Sequence, residues 1–332
     1  MPRLRRVSSQ SPGWSRRRHG KGFRYIDEHG GRPADADVKR IKTLVIPPAW
    51  RDVWICPAPN GHLQATGVDA AGRRQYLYHP AWRVQRDKLK FDRVETAALK
   101  LPTVRRKVSA DLALDGMPLE RAAATAVRLL DLGYFRIGND AYADANGSFG
   151  LTTLERRHVR RHGEALAFQF VGKSGIEHHI LIDDEPVIEA LQVMRQRRGG
   201  DRLLAYHRGP DWLDLASGTV NAYLSELFGG DFTAKDFRTW HATVIFAAAL
   251  AAAPPATTKT ARAKVVRTAV GEVAGYLGNT PTVAKGSYID PRLIDLYESG
   301  STIAEAAGRS YRTPAARQRA LERAVLDLLD VQ

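Results

Sequence analysis

At 332 residues, 44% hydrophobic and 26% charged, the chain is long enough for two ordinary cores and needs neither metal nor disulfide to fold. Its formal charge of +14 and pI near 10.0 call for a polyanionic partner, nucleic acid before acidic membrane. The single cysteine, Cys56, excludes an internal disulfide and a zinc knuckle and fits a reducing cytoplasm.

Residues 1 to 24 hold eight Lys or Arg and no Asp or Glu, so residues 1–22 read as a flexible basic tail that nucleic acid would order. No apolar stretch there resembles a signal peptide. Residues 23–82 are punctuated by Pro and Gly. Trp54-Ile55 and Gln75-Tyr76-Leu77-Tyr78, bounded by Asn60-Gly61 and Ala71-Gly72, predict antiparallel strands, with one helix near Ala36 to Leu44. From residue 83 to 332 the pattern is helical. Leu119, Ala123, Val127 and Leu130 share a face that ends at Gly133, and further helices start at Ser217, Thr233 and near Thr258, Asp290 and Thr313. The longest apolar run, Val244 to Ala253, is about half the length of a spanning helix and reads as buried. One interruption, ALAFQFVGKSGIEHHILI, alternates on both sides of Gly172 to Gly175 and predicts a β-hairpin with Lys173 at its tip. The fold class is therefore α+β: a small antiparallel β-rich N-terminal domain and a larger, mainly helical domain containing a hairpin.

Several residues have chemistry to offer, and each has an ordinary alternative. Tyr288, in Gly-Ser-Tyr before Asp290-Pro291, is a nucleophile if cations favour its phenolate and neutralise a phosphate; otherwise it is a packed aromatic. Lys235 and Arg238, three apart at a helix start, form a phosphate seat or a solvated basic edge. Arg136, just after a helix, is a bidentate phosphate ligand or a surface loop arginine. Lys173 is a flexible ammonium able to donate a proton. The segment Gly172-Lys173-Ser174 mimics a nucleotide-binding loop, but the leading glycine position is Ala167 and strand follows where helix is needed. Asn279 after Gly278 is an amide donor or a helix cap. His158 and His162 lie among too many arginines for a metal, and His178 and His179 point to opposite faces of a strand.

Taken together, VWICPAPNGHLQATGVDAAGRRQYLYHPAW, FRIGND with NGSFGLTTL, FVGKSG, KDFRTWHAT and SYIDP resemble the poxvirus-like, bacterial branch of type IB DNA topoisomerases over nearly the whole chain. The resemblance implies that Arg136, Lys173 and Arg238 are catalytic, that Tyr288 is the nucleophile, and that Asn279 stands where many relatives have histidine. It also implies DNA contacts by Gln75, Tyr76, Tyr78 and Lys235. The expected activity is relaxation of supercoiled DNA through a 3′-phosphotyrosyl intermediate, without ATP, nucleotide or metal cofactor. The β-rich DNA-binding and helical catalytic domains would clamp duplex DNA, acting as a cytoplasmic, nucleoid-associated monomer. A tyrosine recombinase, which generally shows His-x-x-Arg where this chain has Lys235-x-x-Arg238, is the nearest alternative. A non-catalytic DNA-binding protein is the other.

Overall fold

The structure is a computed structural model describing residues 3–133, 135–138 and 147–330. Asn139 and Asp140 of FRIGND and Asn146 of the following motif lie outside the described residues. The chain forms two compact units, Met1–Lys90 and Phe91–Gln332.

The first unit is built on a five-stranded antiparallel sheet in the order β2-β1-β3-β4-β5. Its elements are β1 (Trp14–His19), β2 (Gly22–Ile26), α1 (Asp35–Thr43), β3 (Arg51–Ile55), β4 (Leu63–Val68) and β5 (Arg74–Tyr78). Trp14, Ile41, Ile46, Val53, Ile55 and Ala65 form its core. The predicted turn at Ala71-Gly72 is present, with Gly72 at φ 75° and Asp69 accepting the Ala71 and Arg73 amides.

The flexible tail expected over residues 1–22 is corrected by β1, which lies between β2 and β3 inside the sheet. Its arginines disguise it. Trp14 is buried in the core, and the Arg16 guanidinium donates to the carbonyls of Ile46, Pro47 and Trp50, so a basic residue fills a position where sequence patterning expects an apolar one. Residues 5–7 are tied down as well: Arg5 bonds with Asn60 and His62 through its backbone, and Val7 donates to His62 Nδ1. The expected boundary after residue 82 moves to Lys90/Phe91, inside the long helix α2 (Pro80–Leu112). The first turn of that helix packs Trp82 4.7 Å from the His62 ring, which attaches it to the sheet.

The second unit continues through α3 (Leu119–Asp131), β6 (Val159–His162), β7 (Ala165–Val171), β8 (Glu177–Ile182), α4 (Glu185–Gln196), β9 (Ala205–Arg208) and β10 (Asp211–Asp214). It ends with α5 (Ser217–Phe228), α6 (Ala234–Ala252), α7 (Lys259–Leu277), α8 (Pro281–Ser287), α9 (Arg292–Glu298), α10 (Ala304–Gly308) and α11 (Pro314–Asp330). The predicted hairpin is β7–β8, joined by β6 into a three-stranded sheet. Helix α6 contains the apolar run and runs through the core, with Phe237, Trp240, Val244, Phe246 and Leu250 all buried. Thr258 and Thr313 cap α7 and α11 through their hydroxyls, as their positions predict.

A buried ion cluster ties three helices of this unit. Arg105 of α2 donates two hydrogen bonds to each of two carboxylates, Asp131 of α3 and Glu322 of α11, at 2.6–2.9 Å. Burial pushes the Asp131 carboxyl up, but the hydrogen bonds and charge of Arg105 outweigh it and hold it below the usual carboxylate range. That stabilisation is present above the unfolded carboxylate value near pH 4 and is lost as pH falls through the depressed folded value. Arg105→Gln strands both carboxylates and is expected to cost about 3–5 kcal/mol at pH 7. The deficit should shrink toward pH 4, where the stranded groups protonate, and urea melts at both pH values measure it.

Candidate active site

The C-terminus of α7 organises the site. Helix ends expose carbonyls without intrahelical partners and the negative end of the helix dipole, so they attract cations. Gly278 takes the left-handed conformation (φ 58°) that closes α7, and the Asn279 amide returns to the Ala274 carbonyl at 2.9 Å. Two arginines dock on the carbonyls just before and at this cap. Arg136 Nη2 donates to Leu277 O at 3.0 Å and to Gly278 O at 3.1 Å, and Arg238 Nη2 donates to Leu277 O at 2.6 Å.

Each arginine arrives on a different element. Arg136 follows α3 on a segment fixed by backbone bonds, Leu151 N to Arg136 O at 2.7 Å and Thr152 N to Ile137 O at 2.8 Å. Arg238 comes from the second turn of α6 and is only 6% exposed. Asn279 completes the group, since its Oδ1 accepts from Arg136 Nη2 at 3.3 Å. An arginine can only donate, which turns the amide Nδ2 away as a free donor. The Asn279 backbone thus takes part in the helix cap while its side chain lies beside the arginines.

Three donors in this group, Arg136 Nη1, Arg238 Nε and Asn279 Nδ2, are buried without a hydrogen-bond partner among the described residues. Neither arginine is paired with a carboxylate there. Burial first, and then the charge of Arg136, push Arg238 down to about 10, with nearby Tyr288 acting in the opposite sense. Burial likewise lowers Arg136, again opposed by Tyr288. Both remain cations at neutral pH. Buried donors and uncompensated positive charge are costly unless an anion occupies the space between them.

Tyr288 is beside this group. It ends α8, its amide bonds Ala284 O at 3.0 Å, and its ring centroid lies 5.8 Å from the Arg238 guanidinium carbon. The residues after it anchor it. Asp290 is buried, accepts the Arg292 amide at 3.0 Å and holds the Arg292 guanidinium, which also reaches Glu95 of α2 at 2.8 Å. The cap expected at Asp290 falls instead on Pro291, and the Asp290 carboxylate takes the first amide of α9 from one residue further back.

The remaining predicted residues are placed differently. Lys173 sits at the exposed hairpin tip between β7 and β8, without a hydrogen bond or ion pair among the described residues. Lys235 and Arg238 do not share a setting: Lys235 is exposed in the first turn of α6 while Arg238 is buried. The start of α6 is no phosphate seat, because the Asp236 carboxylate takes the Thr233 amide at 2.9 Å and pairs with Arg93 at 2.6 Å. In the first unit Tyr76 and Tyr78 stack on one face of edge strand β5, 6.2 Å apart. Gln75 alternates to the other face and donates to Asp69 at 2.8 Å. His158 accepts the Glu155 amide through Nδ1 in a short 3-10 turn, not a helix shared with His162. His178 carries no signal in the sequence, since its neighbour His179 points to the opposite face of the strand. It is half-buried, whereas His179 is exposed, and its surroundings include both site arginines.

A family model described as the catalytic core of eukaryotic DNA topoisomerase I matches residues 79–305, and one for the N-terminal domain of bacterial DNA topoisomerase IB matches residues 22–69. The chain belongs to the type IB DNA topoisomerases. This topoisomerase is 29% identical over 83% of its length to DNA topoisomerase 1B of Acanthamoeba polyphaga mimivirus, covering 84% of that protein. It is 24% identical to DNA topoisomerase 1 of Rabbit fibroma virus over 67% of the chain and 68% of the relative. With DNA topoisomerase 1 of Schizosaccharomyces pombe it shares 27% over 51% of the chain, which spans 20% of the relative. As a type IB topoisomerase it is an isomerase that acts on DNA to relax its topology, which sets aside the recombinase and the non-catalytic binder. Among the described residues, no helix of the topoisomerase is long and apolar enough to cross a membrane.

Proposed function

We propose that the topoisomerase relaxes DNA by a reversible transesterification at the cluster of Arg136, Arg238, Asn279 and Tyr288. The observation that carries this reading is the set of three buried donors, without partners among the described residues, beside a tyrosine. The Tyr288 hydroxyl gives up its proton to solvent water as its oxygen attacks the scissile phosphorus in line. A bond from that oxygen to phosphorus forms, the bond from phosphorus to the 5′ oxygen breaks, and the strand's 3′ phosphate remains on the tyrosine. Arg136, Arg238 and Asn279 meet the charge that builds on the non-bridging oxygens, a role preorganised donors fill without rearranging. Lys173 supplies the proton taken up by the departing 5′ oxygen. The free 5′-hydroxyl reverses the step after the strand has rotated, and the bond energy held in the phosphotyrosyl ester makes ATP unnecessary. The cations do the electrostatic work that a metal does elsewhere, and the enzyme acts as a monomer.

The test is incubation of supercoiled plasmid with the protein in EDTA and without nucleotide. Relaxation is expected. Its absence, under conditions where the protein binds the plasmid, would contradict the reading.

The first unit contributes duplex binding. Tyr76 and Tyr78 form an exposed aromatic pair on β5, and the β1–β2 hairpin is strongly basic. Arg17, Arg18, Lys21 and Arg24 are all exposed on it, and Arg17 lies directly opposite Arg24 in the register. Like charges in that position repel and lower stability, an arrangement that phosphates would relieve. Removing residues 1–20 would delete a sheet strand, so neutralisation is the cleaner experiment. Replacing these four residues with Gln should reduce the slope of log affinity against log salt by about 0.9 for each phosphate no longer neutralised. Fold stability should stay the same or rise slightly. An unchanged slope would remove the hairpin from the DNA-binding surface.

A further inference from the structure

We propose that His178 is a positioning residue for Lys173, holding the hairpin turn from which the lysine reaches the scissile phosphate. The proposal rests on the proton-donor role proposed for Lys173.

The geometry begins with Gly172. Its backbone is extended (φ −95°, ψ −167°), so no conformational demand requires glycine there. Space does. A β-carbon at residue 172 would lie 2.7 Å from both Cδ2 and Nε2 of His178, closer than real contacts allow. The imidazole edge therefore lies flush against the α-carbon that immediately precedes Lys173. The face of the ring is stacked by Phe170 at 5.0 Å and 19°, its cross-strand partner in the β7–β8 register. The turn closes through Gly172 N to Ile176 O at 2.7 Å, with Ser174 and Gly175 at φ 67° and 73°. Ile176 in turn approaches the α7 cap, its Cδ1 lying 3.6 Å from where a β-carbon on Gly278 would be. Phe170, His178 and Gly172 thus form a continuous stack from the strand to the residue next to the one bearing the ammonium, alongside the cap that seats both arginines.

His178 acts through shape. Burial first, then Arg136, Arg238 and His179, keep it below the usual histidine range, so at neutral pH it is an uncharged plate that adds no cation to a crowded site. A proton donor displaced by about 1 Å loses much of its effect, which gives the plate its value.

The experiment compares His178→Ala, Gly172→Ala and Lys173→Ala in single-turnover cleavage of a duplex with one mapped cleavage site. The duplex carries either the ordinary bridging 5′ oxygen or a bridging 5′ sulfur, whose thiolate leaves without a proton. On the oxygen substrate, Lys173→Ala should slow cleavage by about 10²-fold or more, and the other two by about 10-fold or more, with DNA affinity unchanged. On the sulfur substrate all three should return to near the wild-type rate. Gly172→Ala displaces the ring without altering His178, and it keeps the test decisive if His178→Ala folds poorly. A wild-type rate on oxygen for both His178→Ala and Gly172→Ala, or slowness that sulfur does not rescue, would overturn the proposal. If Lys173→Ala itself is not rescued, the proton-donor assignment fails and the role of His178 falls with it.

Discussion

Tyr288→Phe is expected to abolish plasmid relaxation and the covalent protein–DNA adduct while leaving duplex affinity within a few-fold of wild type. The substitution removes one oxygen from a half-buried ring whose packing against the core is otherwise kept. The guanidinium of Arg238 remains in place, held by Leu277 O, so the anion seat survives without its nucleophile. Loss of a nucleophile that no neighbour replaces costs at least about 10⁴-fold in rate. Denaturing gels after incubation with end-labelled duplex measure adduct, and filter binding measures affinity. Residual adduct at the wild-type level would mean that another residue attacks.

Arg238→Met is the second large effect, and it separates catalysis from stability. The guanidinium is buried, lacks a carboxylate partner among the described residues and is disfavoured by burial and by Arg136. An apolar side chain of similar length removes that cost, so the urea midpoint should equal or exceed the wild-type value. Cleavage should nevertheless fall by about 10³-fold or more, the scale lost with an arginine that meets transition-state charge. Arg238→Lys should rescue little, because a single ammonium nitrogen is a point charge without the planar fork that lets separate guanidinium nitrogens reach Leu277 O and a phosphate oxygen at once. Asn279→Ala, which removes a neutral donor, should cost less, on the order of 10- to 10²-fold. A variant equally slow and markedly less stable would show that Arg238 serves the fold instead.

Much of the molecule is legible in the sequence where local chemistry and periodicity agree. The β7–β8 hairpin follows from alternation around Gly172 and Gly175, and the ends of α3 and α7 follow from Gly133 and Gly278. Arg136, Arg238, Asn279 and Tyr288 could be named by resemblance, but their convergence could not be read locally. It depends on carbonyls at the end of α7 receiving arginines from two distant elements. Helical spacing grouped Lys235 with Arg238 at a helix start, whereas the decisive attraction is at a helix C-terminus. Strand β1 escaped notice because Arg16 satisfies buried carbonyls from a position where patterning expects an apolar side chain. His178 escaped because its meaning lies in the space it takes from residue 172, and no spacing rule encodes that contact.

The mechanism we propose has Tyr288 attack phosphorus within a seat made by Arg136, Arg238 and Asn279. The decisive experiment traps the covalent complex on a labelled duplex, digests it with protease and nuclease, and locates the nucleotide by mass spectrometry. A single modified peptide is expected, with the phosphate on Tyr288 and joined to the 3′ end of the cleaved strand. Modification of a different residue, or linkage through a 5′ phosphate, would contradict the mechanism.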